Sequence, residues 1–155
     1  MNFRNISHIA IGVRDMERSL KFYRDILGLH VSADRIETFP QGPGEEPARR
    51  RAVFLRWEEQ PHATYILLDQ QLTKERVGQA KAIYEAGIHH FGFWVDDIKA
   101  VMARAKASGL AIEIINEDYV GSDSEWYGEP PGQGMIRYVI MKDPEGNVVQ
   151  IDERD

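Results

Sequence analysis

HIAIGVRD (residues 8–15) returns as HFGFWVDD (residues 90–97): a histidine, an alternating apolar segment, and an aspartate seven residues after the histidine. In the first copy Ile6, His8, Ala10 and Gly12 share one strand face while Ile9, Ile11 and Val13 take the other, because successive strand side chains point to opposite sides. Asp15 then stands at an N-cap, Glu17 falls in the first turn, and Met16, Leu20, Tyr23 and Leu27 recur at helical spacing until Gly28 stops the helix. The second copy keeps the order. His90, Gly92 and Trp94 oppose Phe91, Phe93 and Val95; Asp96 or Asp97 caps; Ile98, Val101, Met102 and Ala105 form the apolar stripe; Gly109 stops it.

Each copy continues into strand-like runs: HVSADRIE, RAVFLRWE and ATYILLD after the first, LAIEII, MIRYVIMK and VVQID after the second, with a DPEGN turn at Asp143 to Asn147. The pattern predicts an α+β fold of two βαβββ modules, residues 4–69 and 86–153, joined by a connector at 70–85 with some helix. A single module leaves a sheet face uncovered, so pairing of modules is expected. FPQGPGEEPARR and EDYVGSDSEWYGEPPGQG are Gly/Pro-rich loops of a length that suits flaps over a site. The arginine run at Arg49 to Arg51 reads as a solvated loop segment.

With 155 residues and 43% hydrophobic content, the chain can bury a core. A net charge of −6 leaves no basic face for a phosphate backbone, which argues against nucleic acid as a partner. The absence of cysteine removes disulfides and thiolate ligands, so a metal would need His, Asp, Glu or neutral oxygen donors. The sequence shows neither a signal-like apolar run at its start nor a stretch suited to crossing a membrane; a soluble, cytoplasmic protein is expected.

Two histidines at matched strand positions suit metal ligation by imidazoles from facing strands, with satisfied core histidines as the alternative. His89 falls on the opposite face from His90. A third ligand would come from the last strand, where Gln150 and Asp152 share a face and Gln150 is the more central. Gln150 reads equally well as a pocket-lining amide. Trp126 and Tyr127 could cover a planar ligand or anchor their loop, Trp94 shares the face of His90, and Arg56 and Arg137 could bind a carboxylate or phenolate or pair with surface acids.

HIAIGVRDMERSLKFYRDILGL, HHFGFWVDD and KDPEGNVVQI together resemble the vicinal oxygen chelate superfamily: glyoxalase I, bleomycin and fosfomycin resistance proteins, methylmalonyl-CoA epimerase and extradiol dioxygenases. The resemblance covers nearly the whole chain. It implies a glyoxalase/bleomycin resistance/dioxygenase-type fold of curled mixed sheets around a divalent metal (Fe2+, Mn2+, Ni2+ or Zn2+), acting on a small-molecule substrate, often as a homodimer. His8 and His90 match the two metal-binding histidines, and Gln150 falls where the DPxGxxxE pattern places a glutamate, a neutral donor replacing an anionic one. Against the extradiol pattern, His62 lies near the acid/base histidine and Tyr138 on the strand of the active-site tyrosine; a turn residue and a packed strand aromatic are the alternatives. The resemblance thus implies a metal-dependent enzyme, dioxygenase-like by preference. A metal-free binding protein of the bleomycin-resistance kind, or a glyoxalase-like lyase or isomerase, is the alternative.

Overall fold

In the computed structural model, residues 5–116 and 121–155 are described. The start of the first expected module at residue 4, and the start of the second Gly/Pro-rich loop at Glu117 to Val120, lie outside them. The chain divides into two compact units, one ending at Gly78 and the next beginning at Gln79, a division inside the expected connector. Each unit has its own sheet and its own helix.

The first unit runs β1 (His8–Val13), α1 (Met16–Leu20) continuing as a π-helical turn (Lys21–Ile26), β2 (His30–Phe39), β3 (Ala48–Arg56) and β4 (Tyr65–Gln71), in the sheet order β1-β4-β3-β2. β1 lies parallel to β4 and the other pairs are antiparallel, so the sheet is mixed. Asp15 accepts from the Arg18 backbone N–H at 3.1 Å and starts the helix as its residue type requires. The helix then widens: Leu27 N–H reaches the Phe22 carbonyl at 3.1 Å, five residues back, before Gly28 turns the chain at φ 87°. This widening was not legible in the spacing, yet it brings Phe22, Tyr23 and Ile26 fully into the core beside Met16 and Leu20. Ile11, Val13, Val53, Leu55, Ile66 and Leu68 complete that core, and each such side chain stabilises the fold by roughly 1.5–3 kcal/mol.

The second unit runs β5 (His90–Trp94), α2 (Ile98–Ala107), β6 (Ile114–Asn116), β7 (Ser122–Asp123), a 3-10 turn (Ser124–Tyr127), β8 (Met135–Lys142) and β9 (Val148–Arg154). Its sheet order is β5-β9-β8-β6, with β7 also on β8 and β5 parallel to β9. Asp97 is the cap, accepting from Ala100 N–H at 3.0 Å, and Glu153 of β9 accepts from Ile98 N–H at 2.6 Å. That bond ties the helix to the sheet it covers. Ile98, Val101, Met102 and Ala105 are buried as their spacing predicts, with Val139, Met141, Val149 and Ile151 from the sheet.

Three expectations are corrected. The connector contains no helix over residues 72–89: Gly78 breaks it at φ 90°, and Arg76 turns back to Asp69 at 2.7 Å, leaving segments too short to nucleate. Arg49 to Arg51 are strand, not loop; Arg50 pairs with Glu37 and Asp69, and Arg51 with Glu17 and Asp34, all at 2.6–2.7 Å. The LAIEII strand begins only at Ile114 and runs to Asn116, its pairing with β8 slipping between those residues.

The Arg50 pair gives a pH prediction. Hydrogen bonds from Arg50, then Arg35, hold the Glu37 carboxyl below its ordinary 4.5. A depressed value means the stabilisation is present above the unfolded value and is lost as pH falls through the folded one. Arg50→Gln is expected to move the Glu37 titration, followed by carboxyl carbon NMR, up toward 4.5. An unchanged midpoint would show that the pairing does not act on Glu37.

Candidate functional site

The open face of the second sheet carries the polar constellation. Register sets His90, Val148 and Lys142 side by side, then Gly92, Gln150 and Ile140, then Trp94, Asp152 and Tyr138. Alternation does the rest: His90, Trp94, Tyr138 and Gln150 share this face, while Val139, Met141, Val149 and Ile151 pack under α2. The DPEGN turn fixes the register. Asp143 accepts from Glu145 N–H and Asn147 N–H at 2.9 and 2.8 Å and from the Asn147 amide at 2.8 Å, while Gly146 closes the turn at φ 91°.

Asp152 organises the face. Though only 6% exposed, its Oδ1 accepts from the Tyr127 hydroxyl at 2.8 Å and from the Gln150 amide at 2.8 Å. The same amide reaches the Tyr127 oxygen at 3.2 Å, closing a triangle. Oδ2 lies beside Gly92, where a Cβ would stand 3.0 Å from it, so the strand neighbour must be small for the carboxylate to sit there. Burial, then the hydrogen bond to Asp152, pushes the Tyr127 phenol well above its ordinary value, so the phenol stays a donor at neutral pH.

Tyr127 reaches this position from a well-tied loop. Asp123 caps the 3-10 turn through Glu125 N–H at 3.2 Å, the fully buried Ser124 hydroxyl donates to the Pro130 carbonyl at 3.3 Å, and Gly128 ends the turn at φ 73°. The Tyr127 ring then stands 5.8 Å from Trp94, tilted 38°. Arg154 lies over Trp94 at 5.3 Å, held by Glu129 at 2.6 Å and the Gln133 carbonyl at 3.0 Å. Trp126, 85% exposed, does not join the triangle.

The remaining candidates keep other partners. Arg137, one residue from Tyr138, points to the opposite face and pairs with Glu153 at 3.3 Å and with Asp155. His62 is an exposed turn residue at φ 71° whose carbonyl accepts from the Asn5 amide at 3.1 Å. His8, in the first unit, stacks on Tyr65 at 4.9 Å, with its Nδ1 2.9 Å from Ser7 Oγ; His89, just before β5 begins, meets His90 through their Nδ1 atoms at 2.7 Å rather than turning to the opposite face as alternation predicts. Aligning the two registers on His8 and His90 makes Leu67 the counterpart of Gln150, and Asp69 that of Asp152. Asp69 is met by Arg50 and Arg76; Asp152 is met by neutral donors.

The donor chemistry does not fit the two-histidine, one-carboxylate centre implied by the sequence resemblance. The carboxylate position holds the neutral Gln150, whose amide N–H bonds go to Asp152 and Tyr127, and its counterpart in the first unit is Leu67. Among the described residues no three His, Cys, Asp or Glu side chains gather as a metal-holding group. The Tyr127–Asp152 link was missed in the sequence. Asp152 was visible on the face of Gln150, but nothing in the sequence joins it to an aromatic 25 residues upstream.

The chain belongs to the Glyoxalase/Bleomycin resistance protein/Dioxygenase superfamily, which it matches over residues 5–151. It is 28% identical to a catechol-2,3-dioxygenase of Bacillus subtilis (strain 168), over 94% of this chain and 47% of that protein, so it spans about half the dioxygenase's length. It is 26% identical to an ethylmalonyl-CoA/methylmalonyl-CoA epimerase of Cereibacter sphaeroides, over 96% of each chain. Among solved structures, a glyoxalase family protein from Bacillus cereus matches 99% of this chain and 96% of its own with a TM-score of 0.73 at 15% identity, a likeness of fold. The superfamily includes enzymes on small molecules, and divalent metals are common in it. No helix among the described residues is long and apolar enough to cross a membrane.

Asp152→Asn is expected to lower the Tyr127 phenol's titration toward the ordinary value of about 10, read by ring-carbon NMR with Tyr127→Phe to assign the signal. If the titration does not move, Asp152 is not the group holding the proton on Tyr127.

Proposed function

We propose that the chain binds a small organic molecule over the open face of its second sheet, without requiring a resident divalent metal. Asp152 would supply the polar anchor, and Trp94, Tyr127 and the exposed Trp126 an apolar flank. The observation that carries this reading is the closed triangle of Tyr127, Gln150 and Asp152 at the strand position where the family pattern has a metal-binding glutamate. A buried carboxylate oriented by two donors on one oxygen is pre-organised to accept from a ligand through the other, and a hydrogen bond to a charged group contributes about 1.5–3 kcal/mol. Tyr138, across from Asp152 on β8, would border the same ligand.

The test is a thermal-shift screen of small aromatic acids, amines and phenols in the presence of a chelator. The proposal expects stabilisation by at least one compound under chelation, with affinity weakened roughly tenfold or more by Asp152→Asn. Stabilisation seen only after adding divalent ions would overturn it.

A second reading keeps the metal, with His8, His90 and Gln150 as its ligands and His62 and Tyr138 as acid/base candidates. The repeated histidine and the catechol-2,3-dioxygenase relative favour it. The epimerase relative keeps a lyase or isomerase activity beside it. Oxygen uptake with catechols by iron-loaded protein supports the dioxygenase reading, and no ring-opened product across a broad catechol panel removes it. A soluble homodimer is our expectation under either reading; light scattering showing a monomer at working concentration would contradict it.

A further inference from the structure

Arg56 ends β3 in the first unit, on the rung between Tyr65 of β4 and His30 of β2. Its guanidinium lies 4.7 Å over the Tyr65 ring, and Nη1 donates to the Ala63 carbonyl at 2.9 Å. These contacts hold the group in place while using one of its five N–H donors. Of the other arginines on these strands, Arg35 is paired with Glu37, Arg50 with Glu37 and Asp69, and Arg51 with Asp34 and Glu17, while Arg49 at the far end of β3 lies outside the pocket. Among the described residues no carboxylate comes within ion-pairing distance of Arg56, although the chain carries 25 acidic residues against 19 basic ones.

Arg56 also lines a pocket of about 460 Å³ between the start of β2 and the turn before β4. It is open to solvent, and most of its lining residues are exposed. His30 and Gln60 bring further polar groups to it, and Pro61 an apolar wall; the Ser32 hydroxyl is already given to the Phe54 carbonyl. Glu59 also lines the pocket; its side chain is 89% exposed and lies 3.9 Å from His30 Nε2. The pairing of β2 with β3 slips between Val31 and Ala33, where the Ser32 hydroxyl donates to the Phe54 carbonyl at 3.2 Å.

We propose that this pocket binds the carboxylate of a small organic acid, with Arg56 as the anchor. A guanidinium held over a ring can offer two parallel N–H donors in its plane, which match a carboxylate in a way a lysine ammonium does not. The site lies in the first unit and shares no residue with the face around Asp152, so the two proposals stand or fall separately.

The test is an NMR titration of isotope-labelled full-length protein with benzoate, following the Arg56 Nε–Hε signal and the backbone amides of residues 30–32 and 59–60. Saturable shifts at these positions are expected. Arg56→Lys is expected to weaken binding roughly fivefold or more, and Arg56→Gln tenfold or more, with amide spectra of the second unit unchanged. If Arg56→Gln fails to fold, Arg56→Lys decides. Benzamide, the neutral counterpart, is expected not to bind. Three results overturn the proposal: no saturable shift with benzoate, benzamide binding equally well, or the lysine variant binding like wild type. Inorganic phosphate binding more tightly than benzoate would overturn the assignment to carboxylates.

Discussion

One oxygen of Asp152 holds two donors, the Tyr127 hydroxyl and the Gln150 amide, and the open face of the second sheet is built on that arrangement. A buried carboxylate without partners is costly, so the fold either neutralises it or surrounds it with donors. The first unit takes the first course at the equivalent Asp69, where Arg50 and Arg76 meet the carboxylate. Arg76 lies so close over β1 that a Cβ at Gly12 would stand 2.0 Å from it. The second unit takes the other course. Neutral donors leave the charge of Asp152 in place, so the two copies of one motif offer different chemistry.

That difference depends on register. A shift of one residue between β8 and β9 would turn Gln150 and Asp152 under α2 and bring Val149 and Ile151 to the open face. The Asp143 turn prevents the shift by spending its carboxylate on three donors of residues 145–147. Glu153 adds a second constraint from the helix side, since its bond to Ile98 N–H is available only with β9 in this register. The site is therefore held by bonds that lie outside it.

The repeat made much of this legible. Period-two alternation sorted His90, Trp94 and Gln150 onto one face, and aspartate and glycine marked both helices because capping and positive φ are local demands. The π-helical widening after Leu20, the connector without helix and the strand through Arg49 to Arg51 were not legible, since each is settled by distant partners: the core side of the sheet, Asp69, and the acids of β2. Arg137 reads in the sequence either as a ligand-binding residue or as a partner of surface acids; alternation places it opposite Tyr138, where Glu153 and Asp155 hold it. Tyr127 reads in the sequence as a loop aromatic, but its partner does not show there, because a tertiary hydrogen bond leaves no spacing to read. Family membership was legible from the paired phrase and the DPEGN turn; the departure at Gln150 gained its physical meaning once Asp152 and Tyr127 were seen bound to its amide.

The central claim is that this face works through its own carboxylate rather than through a resident metal. Elemental mass spectrometry on tag-free protein, purified anaerobically and reconstituted with each divalent ion in turn beside a His8→Ala, His90→Ala double variant, tests it most directly. The account predicts far less than one metal per chain in the wild type, with no difference from the variant. Near-stoichiometric metal in the wild type that vanishes in the variant would contradict it and establish the two histidines as ligands.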